Sequence, residues 1–436
     1  MNRPPAPTPS APRPGLLARH RDFRLLWFGE TTGQFGSCIT GVAMPLIAVT
    51  ILHASAFQVT LLTAANWLPW LLIGLPVGAW VDRLRRRPVM MTAQAVSLLL
   101  VLSIPVAVWT GTLSLGDLLA VALLRGFAQV FFQTSWSAYL PGLLQPADRA
   151  EGNAKLQGSA SAAQIAGIGA GGLITQLAGA GGGMLVDAAT FVVSLLSLGG
   201  IHHREPRRDP ATEYPALAKG VGQGLRLVAG DPWFRSFTLY GATANLFLTA
   251  YQSLVVVFLI RDVGVPDGAV GALVAATSLG GVVGAFAGRR LAARIGEARA
   301  MLALGLGLPA FALLVPLTTP GAGLILYIAG GGCVTLGVVG GNVIKAGFQQ
   351  RYCPPELFGR LSASSAFLNY GAIPVGALLA GVLADRLGLH TALWITTAGV
   401  PLAALLLLAS PLRRHRDLPG RQLSAYVPTA TPATAR

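Results

Sequence analysis

The chain has 436 residues, 53% of them hydrophobic and only 11% charged, with a net charge of +15 and a mean hydropathy of +0.61. An ordinary soluble domain carries roughly 25% charged residues, so a water-facing surface of the usual kind cannot be built from this composition. The basic excess would suit a nucleic-acid partner only if it were gathered on one soluble face.

The first 22 residues, MNRPPAPTPSAPRPGLLARHRD, are rich in proline and lack an apolar core followed by a cleavage site. They are expected to form a disordered tail, not a signal peptide. Beyond them, apolar spans of about 20 residues recur along the whole chain, the length needed to cross a bilayer as helix. Twelve are expected: 23–51, 57–80, 88–109, 117–136, 157–179, 181–200, 236–259, 268–288, 300–317, 321–343, 361–384 and 390–411. The fold class is all-α integral membrane protein, with bundles at 23–200 and 234–411, a hydrophilic linker at 201–233, and a second disordered tail at 412–436.

In the first span, Glu30, Gln34, Ser37 and Gly41 are spaced i, i+4, i+7, i+11 and so form one polar stripe. The second span carries Trp67 and Trp70. GAWVDRLRRRP follows, supplying Gly78, Asp82, Arg83, Arg86 and Arg87. Gly78 permits close helix contact, and Asp82 can accept hydrogen bonds from a helix amino terminus or pair with arginines. Arg125, Gln129 and Gln133 form a second stripe on the fourth span, beside Phe132.

The fifth span contains GIGAGG at 167–172, a match to the dinucleotide fingerprint G-x-G-x-x-G, with Asp187 twenty residues after the first glycine. A Rossmann turn needs a strand before it and a helix opening after it, and neither is present. In lipid, small residues let helix backbones approach, which is the preferred reading of Gly167, Gly171 and Gly172. In the second half, Asn245, Gln252 and Tyr370 are among the amide and aromatic groups placed within spans.

Of the 32 Lys and Arg residues, 29 fall on the side of the amino terminus; Arg261 and Arg386 fall on the other, and Arg125 lies within a span. That asymmetry obeys the positive-inside rule, placing both termini in the cytoplasm of a plasma-membrane protein, and it disperses the basic residues among short turns. A nucleic-acid partner is thereby excluded. Cys38, Cys333 and Cys353 form no CxxC, and the histidines form no HExxH, so neither a metal site nor a cofactor is expected. No GxSxG or Walker sequence suggests an enzyme.

Intramembrane charge costs about 2.5–3.5 kcal/mol on the insertion scale, so Glu30, Arg125 and Asp187, the three expected within spans, are functional candidates. By the rise of a helix, Arg125 lies roughly 12 Å and Asp187 roughly 9 Å from the outer ends of their spans, close enough in depth to pair. Glu30 lies roughly 10 Å from the cytoplasmic end and is the carboxyl suited to exchange protons with either side. Gln34, Trp67, Trp70, Gln129, Phe132, Gln133, Asn245, Gln252 and Tyr370 are the cavity candidates, a set that suits large amphipathic molecules.

The halves repeat weakly. A shift of 211 carries Phe23-Arg24 onto Phe234-Arg235, and a shift of 204 carries Gly167 onto Gly371 and Gly172 onto Gly376. Parallel halves related by an axis along the membrane normal are expected, rocking about a shared site.

The loop G-x-x-x-D-R-x-x-R-R resembles the signature loop of the major facilitator superfamily, with Arg85 where that pattern has glycine. RGFAQVFFQTSWSAYLPGLLQPADRAEGNAKLQGS and VDAATFVVSLL are similar to the macrolide-efflux and enterobactin-exporter branch of its drug:proton antiporters. There, Gly167, Gly171 and Gly172 correspond to a fifth-helix antiporter motif in which Ile168 replaces proline. The sixth helix of such proteins is usually peripheral, so Asp187 either anchors Arg125 or faces neither site. The resemblance implies a monomeric bacterial exporter of lipophilic or amphipathic drugs, antibiotics or secondary metabolites, coupled to protons by alternating access and without a cofactor. A siderophore exporter or a solute importer of the same fold stays open.

Overall fold

A computed structural model describes residues 15–145, 148–203 and 217–420, within which the side chains at a few helical positions are left aside. The elements in chain order are α1 (Leu16–Arg19), α2 (Arg21–Thr50), α3 (Ala56–Ile73), α4 (Pro76–Arg83), α5 (Arg86–Thr110), α6 (Leu115–Leu143), α7 (Arg149–Gly199), α8 (Leu217–Gly230), α9 (Pro232–Arg261), α10 (Asp267–Ile295), α11 (Glu297–Leu302), α12 (Leu324–Tyr352), α13 (Pro355–Leu387) and α14 (Leu389–Leu408). Among the described residues no strand occurs, and eleven segments are long and apolar enough to cross a membrane. Helices satisfy their own backbone, which is the condition for crossing lipid. Large apolar side chains stand outward, Leu196 71% exposed and Leu99 68%, as a lipid-facing surface requires.

The expected fifth span lies in the first part of α7. This helix runs unbroken for 51 residues, a straight length of roughly 76 Å that would overshoot a bilayer twofold. Its contacts show that it turns back. Gly167 packs on the Phe35 carbonyl and Gly171 on Ile39, ascending α2, whereas Asp187 meets Thr40 and Ser197 meets Gly29, descending it. The reversal falls in AGAGGG at 178–183, where small residues permit a tight bend. The two spans expected on either side of residue 180 are therefore two limbs of one helical run.

The internal repeat is plainer in the helices than in the sequence. α2 and α9 each have 30 residues and are offset by 211; α6 and α12 each have 29 and are offset by 209. Two differences stand out. α3 and α4 are separated at Gly74-Leu75, with Pro76 opening α4, where the equivalent α10 is continuous. The counterpart of α5 begins as α11, passes through a π-type turn at Ala303–Gly307, and becomes a 3₁₀ segment at Pro309–Leu317, where Pro309 and Pro316 cannot donate backbone hydrogen bonds. The glycine register expected at a shift of 204 is displaced. Gly167 lies against the carbonyl of Phe35 and Gly376 against that of Leu246, and those partners are themselves 211 apart, so the packing equivalents are Gly167 and Gly376.

The bundles meet along two related seams. α3 packs on α13, where Gly381 lies against Phe57 and Thr60; α7 packs on α10, where Gly169 faces Ala275. Contact is uneven along the molecule. At the face remote from the arginine turns, Arg261 donates to the Ala54 carbonyl at 2.6 Å, and Val257 is buried among Ile47, Val49 and Ala54. At the arginine face each bundle has its own core, around Phe23, Met90 and Tyr139 in one and Phe234, Met301 and Phe348 in the other. Among the described residues, a buried cluster spans both bundles at the first face, whereas those at the arginine face each stay within one bundle.

Parts of the two tails expected to be disordered are docked, and the hydrophilic linker is partly helical. In the amino-terminal tail, the Leu16 amide donates to Glu151 at 3.0 Å, and Arg19 and His20 both reach Asp148 at 3.2 Å. In the linker, α8 buries Leu227 and Val228 against Phe234. Its apolar face was too short to register as a span. After α14, Asp417 accepts from the Glu297 amide at 3.1 Å.

Candidate functional site

Polar residues on α2, α3 and α6 converge on a cavity of 400 Å³ lined by Gln34, Ser37, Thr40, Gly41, Met44, Pro45, Leu62, Thr63, Asn66, Trp67, Trp70, Arg125 and Gln129. The α2 stripe from Gln34 to Gly41 faces it because helical periodicity stacks those positions. Asn66 carries its amide on α3 beside Trp67, and the Asn66 carbonyl is the surface on which Gly126 of α6 packs. That contact leaves no room for a side chain at 126, so α3 and α6 are held tightly together along one wall.

Arg125 and Asp187 come together. The guanidinium lies 3.3 Å from Asp187 Oδ2, donates to Ser37 Oγ at 3.1 Å, and sits 5.6 Å from the Phe191 ring centroid. Asp187 is fully buried and accepts from Thr40 Oγ1 at 2.5 Å and from Thr190 Oγ1 at 3.3 Å. Gly36 is needed here, since a Cβ at that position would occupy the space of the Thr190 hydroxyl and the Asp187 carboxylate. Of the two alternatives left open for Asp187, the geometry realises the anchor: the carboxylate is withdrawn from the cavity and holds the arginine that lines it.

Glu30 continues the α2 stripe one turn beyond Gln34, toward the arginine face. It is half-buried, and among the described residues it makes neither a hydrogen bond nor an ion pair.

Trp67 and Trp70 reach across to the other bundle. Their rings lie 5.4 Å and 4.9 Å from that of Tyr370, on the α3–α13 seam. A second, smaller recess of 90 Å³ lies within the other bundle, lined by Tyr240, Asn245, Asn342, Lys345 and Asn369 among others. Asn245 donates to Asn369 at 3.3 Å, and Asn369 donates to the Ser365 carbonyl at 2.6 Å.

Other expected positions lie elsewhere. Phe132 is buried in the core with Leu26 and Met90, because it lies one turn along α6 past Gln129, the last residue of that helix to line the cavity. Gln133 and Gln252 line neither cavity, and Gln252 is exposed on α9. Gly78 makes no close helix contact, since a Cβ there would meet open space. The side chain of Asp82 and the surroundings of Gly172 lie outside the described residues. Arg86 donates to the Ala138 carbonyl at 2.7 Å, and Arg87 to the Leu198 and Gly199 carbonyls at 2.8 and 2.6 Å. These arginines bind carbonyls near the ends of α6 and α7, where the helix dipole favours cations. Arg83 is exposed.

Sequence reasoning missed Thr40, Asn66, Asn342, Asn369 and Lys345. The first two adjoin recognised positions and could have been reached by projecting the helix one residue further round. Lys345 was assigned to a turn because the apolar run ends at residue 343; α12 continues to Tyr352 and carries it inside.

Two repeated halves, with a polar cavity in the first beside the seam where Trp67 and Trp70 meet Tyr370, in a chain with eleven apolar spans among the described residues, have the architecture of a transporter of the major facilitator fold and not of an enzyme. Residues 15–427 match the model of the transmembrane secretion effector family. The chain belongs to that family. It is similar to the multidrug efflux pump Tap of Mycolicibacterium fortuitum, 29% identical over 408 residues that cover 90% of this chain and 96% of that protein. Among solved structures, a mutant form of the nucleoside transporter NupG superposes with a TM-score of 0.71 at 13% identity, covering 89% of this chain and 98% of that one. A bacterial homologue of the iron transporter ferroportin in its inward-facing state gives 0.69 at 15%, covering 91% and 99%.

Proposed function

We propose that the chain exports lipophilic or amphipathic small molecules, as drugs, antibiotics or secondary metabolites, across a bacterial plasma membrane by alternating access coupled to protons. The observation that carries this reading is the 400 Å³ cavity, whose Trp67, Trp70, Asn66, Gln34 and Gln129 offer aromatic faces and amides to a body of drug size. The efflux reported in the name of its mycobacterial relative supports the direction. With both termini and the arginine turns on the cytoplasmic side, the arginine face opens inward and the Arg261–Ala54 contact closes the outer gate.

Within this scheme Glu30 is the proton carrier. It stands on the cavity stripe with no partner among the described residues to hold its charge, so its protonation state answers to whichever water reaches it, and neutralising it changes the field along α2 toward Arg125. Arg125, anchored by Asp187, is the fixed charge against which that change is felt. Bundles at 23–200 and 234–411 rock about the Trp67–Trp70–Tyr370 seam, and the loop from Gly78 to Arg87 gates the cytoplasmic side.

The test is accumulation of rhodamine 6G in an efflux-deficient bacterial host. Cells expressing the chain are expected to hold less dye than vector controls, to lose the difference when an uncoupler is added, and to lose it equally with Glu30→Gln. Equal dye in expressing and control cells overturns the export reading; uphill export by Glu30→Gln with unchanged pH dependence overturns the proton assignment. Thiol labelling of Arg83→Cys and His202→Cys is expected from the cytoplasmic side only.

A further inference from the structure

The smaller recess contains a charge that the proton and efflux roles leave unused. Lys345 lies seven residues before the end of α12, about 10 Å along the axis at the rise of a helix. It lines a recess in which no acidic residue takes part. Among the described residues it has no ion pair and no hydrogen bond. Internal charges in native proteins are ordinarily paired or hydrogen-bonded, and the contrast with the other bundle is direct. There the buried cation Arg125 is answered by Asp187; at the offset of 209 the equivalent positions are Val334 and Thr396, so the repeat supplies no carboxylate on this side.

The remaining polar groups point the same way. Asn245 spends an amide proton on Asn369 Oδ1, and Asn369 spends one on the Ser365 carbonyl, which fixes their orientation. The three ammonium protons of Lys345, the Asn342 amide and the Tyr240 hydroxyl are left as donors around the recess. A concavity of 90 Å³ is too small for a drug-sized body, which needs several hundred cubic ångströms, but holds a single headgroup.

We propose that this recess binds the anionic group of an amphipathic molecule, a carboxylate, sulfonate or phosphate, while its apolar body lies in the space between the bundles. Lys345 supplies the counter-charge and Asn342 the directional hydrogen bond. The proposal rests on the export reading only for the entry of amphipathic molecules into the cavity, and its test reads binding without transport.

The full chain in an uncharged maltoside detergent is titrated with two fluorescent amphiphiles of related ring system, 5-dodecanoylaminofluorescein (anionic) and rhodamine 6G (cationic), and anisotropy is read. Lys345→Gln is expected to weaken the anionic dye about tenfold or more, as loss of a charge-assisted contact does, and to leave rhodamine 6G within about twofold. Lys345→Arg, which keeps the charge, is expected to retain most of the affinity. Phosphatidylglycerol that displaces the anionic dye from the wild type, where phosphatidylcholine does not, identifies the natural occupant as a lipid headgroup; displacement by dodecanoate alone identifies an exported acid, and both uphold the anion site. Equal weakening of both dyes by Lys345→Gln, no weakening, or no binding of the anionic dye to the wild type overturns it. Should Lys345→Gln fail to elute as a single species, Asn342→Leu carries the same comparison. A chain that binds the anionic dye through Lys345 yet exports no rhodamine 6G would sink the export reading and leave the recess standing.

Discussion

Replacing Asp187 by Asn tests the energetic core of the site. At 3.3 Å, with an effective dielectric of about 20, the Arg125–Asp187 attraction is about 5 kcal/mol, offset in the native protein by the cost of taking both ions from water. The substitution removes the charge–charge attraction and leaves the desolvation cost for Arg125, which keeps the Ser37 hydroxyl, the Phe191 ring and a neutral amide oxygen at 187. Uncompensated buried charges of this kind destabilise by roughly 3–5 kcal/mol, a large part of a net stability of about 5–15 kcal/mol. Unfolding of the purified chain by sodium dodecyl sulfate, followed by circular dichroism, gives the difference. The double variant Arg125→Met, Asp187→Leu removes both charges and is expected to recover most of the loss. If Asp187→Asn lies within about 0.5 kcal/mol of the wild type, or if the double variant is the less stable of the two, the pair does not hold the site as argued.

Arg261→Ala loses a charge-assisted hydrogen bond to Ala54 worth about 1.5–3 kcal/mol, and is expected to raise about tenfold or more the rate at which Thr63→Cys, in the cavity wall, is labelled by an impermeant maleimide added outside; an unchanged rate would show that this contact does not hold the face shut. Gly284→Val places a Cβ against the Leu336 carbonyl, forces α10 from α12, and is expected to cost roughly 1–3 kcal/mol in the same detergent titration. Gly307→Ala, where a Cβ meets nothing within 4 Å, is the control and should shift stability by less than about 0.5 kcal/mol. Tyr370→Ala removes the ring between Trp67 and Trp70 and is expected to weaken rhodamine 6G binding about fivefold, an aromatic pair contributing about 0.5–1.5 kcal/mol; unchanged binding would place the dye elsewhere.

The helices were legible in the chain because lipid allows so few backbone solutions: a run of twenty apolar residues is almost obliged to be a spanning helix. The Arg125–Asp187 pair was legible as a matching of depths. Finer features were not. The repeat register erred by five residues because glycines were matched to glycines, whereas the packing equivalence runs through the carbonyls of Phe35 and Leu246 that those glycines touch. Lys345 escaped because hydropathy ends a span where polarity rises, and a helix with a polar recess to face continues past that point. Phe132 shares a face with Gln129, but the cavity ends at Gln129, and the next turn of α6 packs into the core with Leu26 and Met90. The π-type turn at Ala303–Gly307 had no sequence signal beyond the prolines that follow it.

Gly280, Gly284 and Gly288 sit one turn apart on α10 and press against the backbone of Gly332, Leu336 and Gly340 on α12. Helices seated backbone to backbone over two turns have no side chains to shear, so they travel as a single rigid spar. A tilt of α10 against α7 is therefore expected to carry α12 with it, and Lys345, little more than a turn past Gly340, along with both.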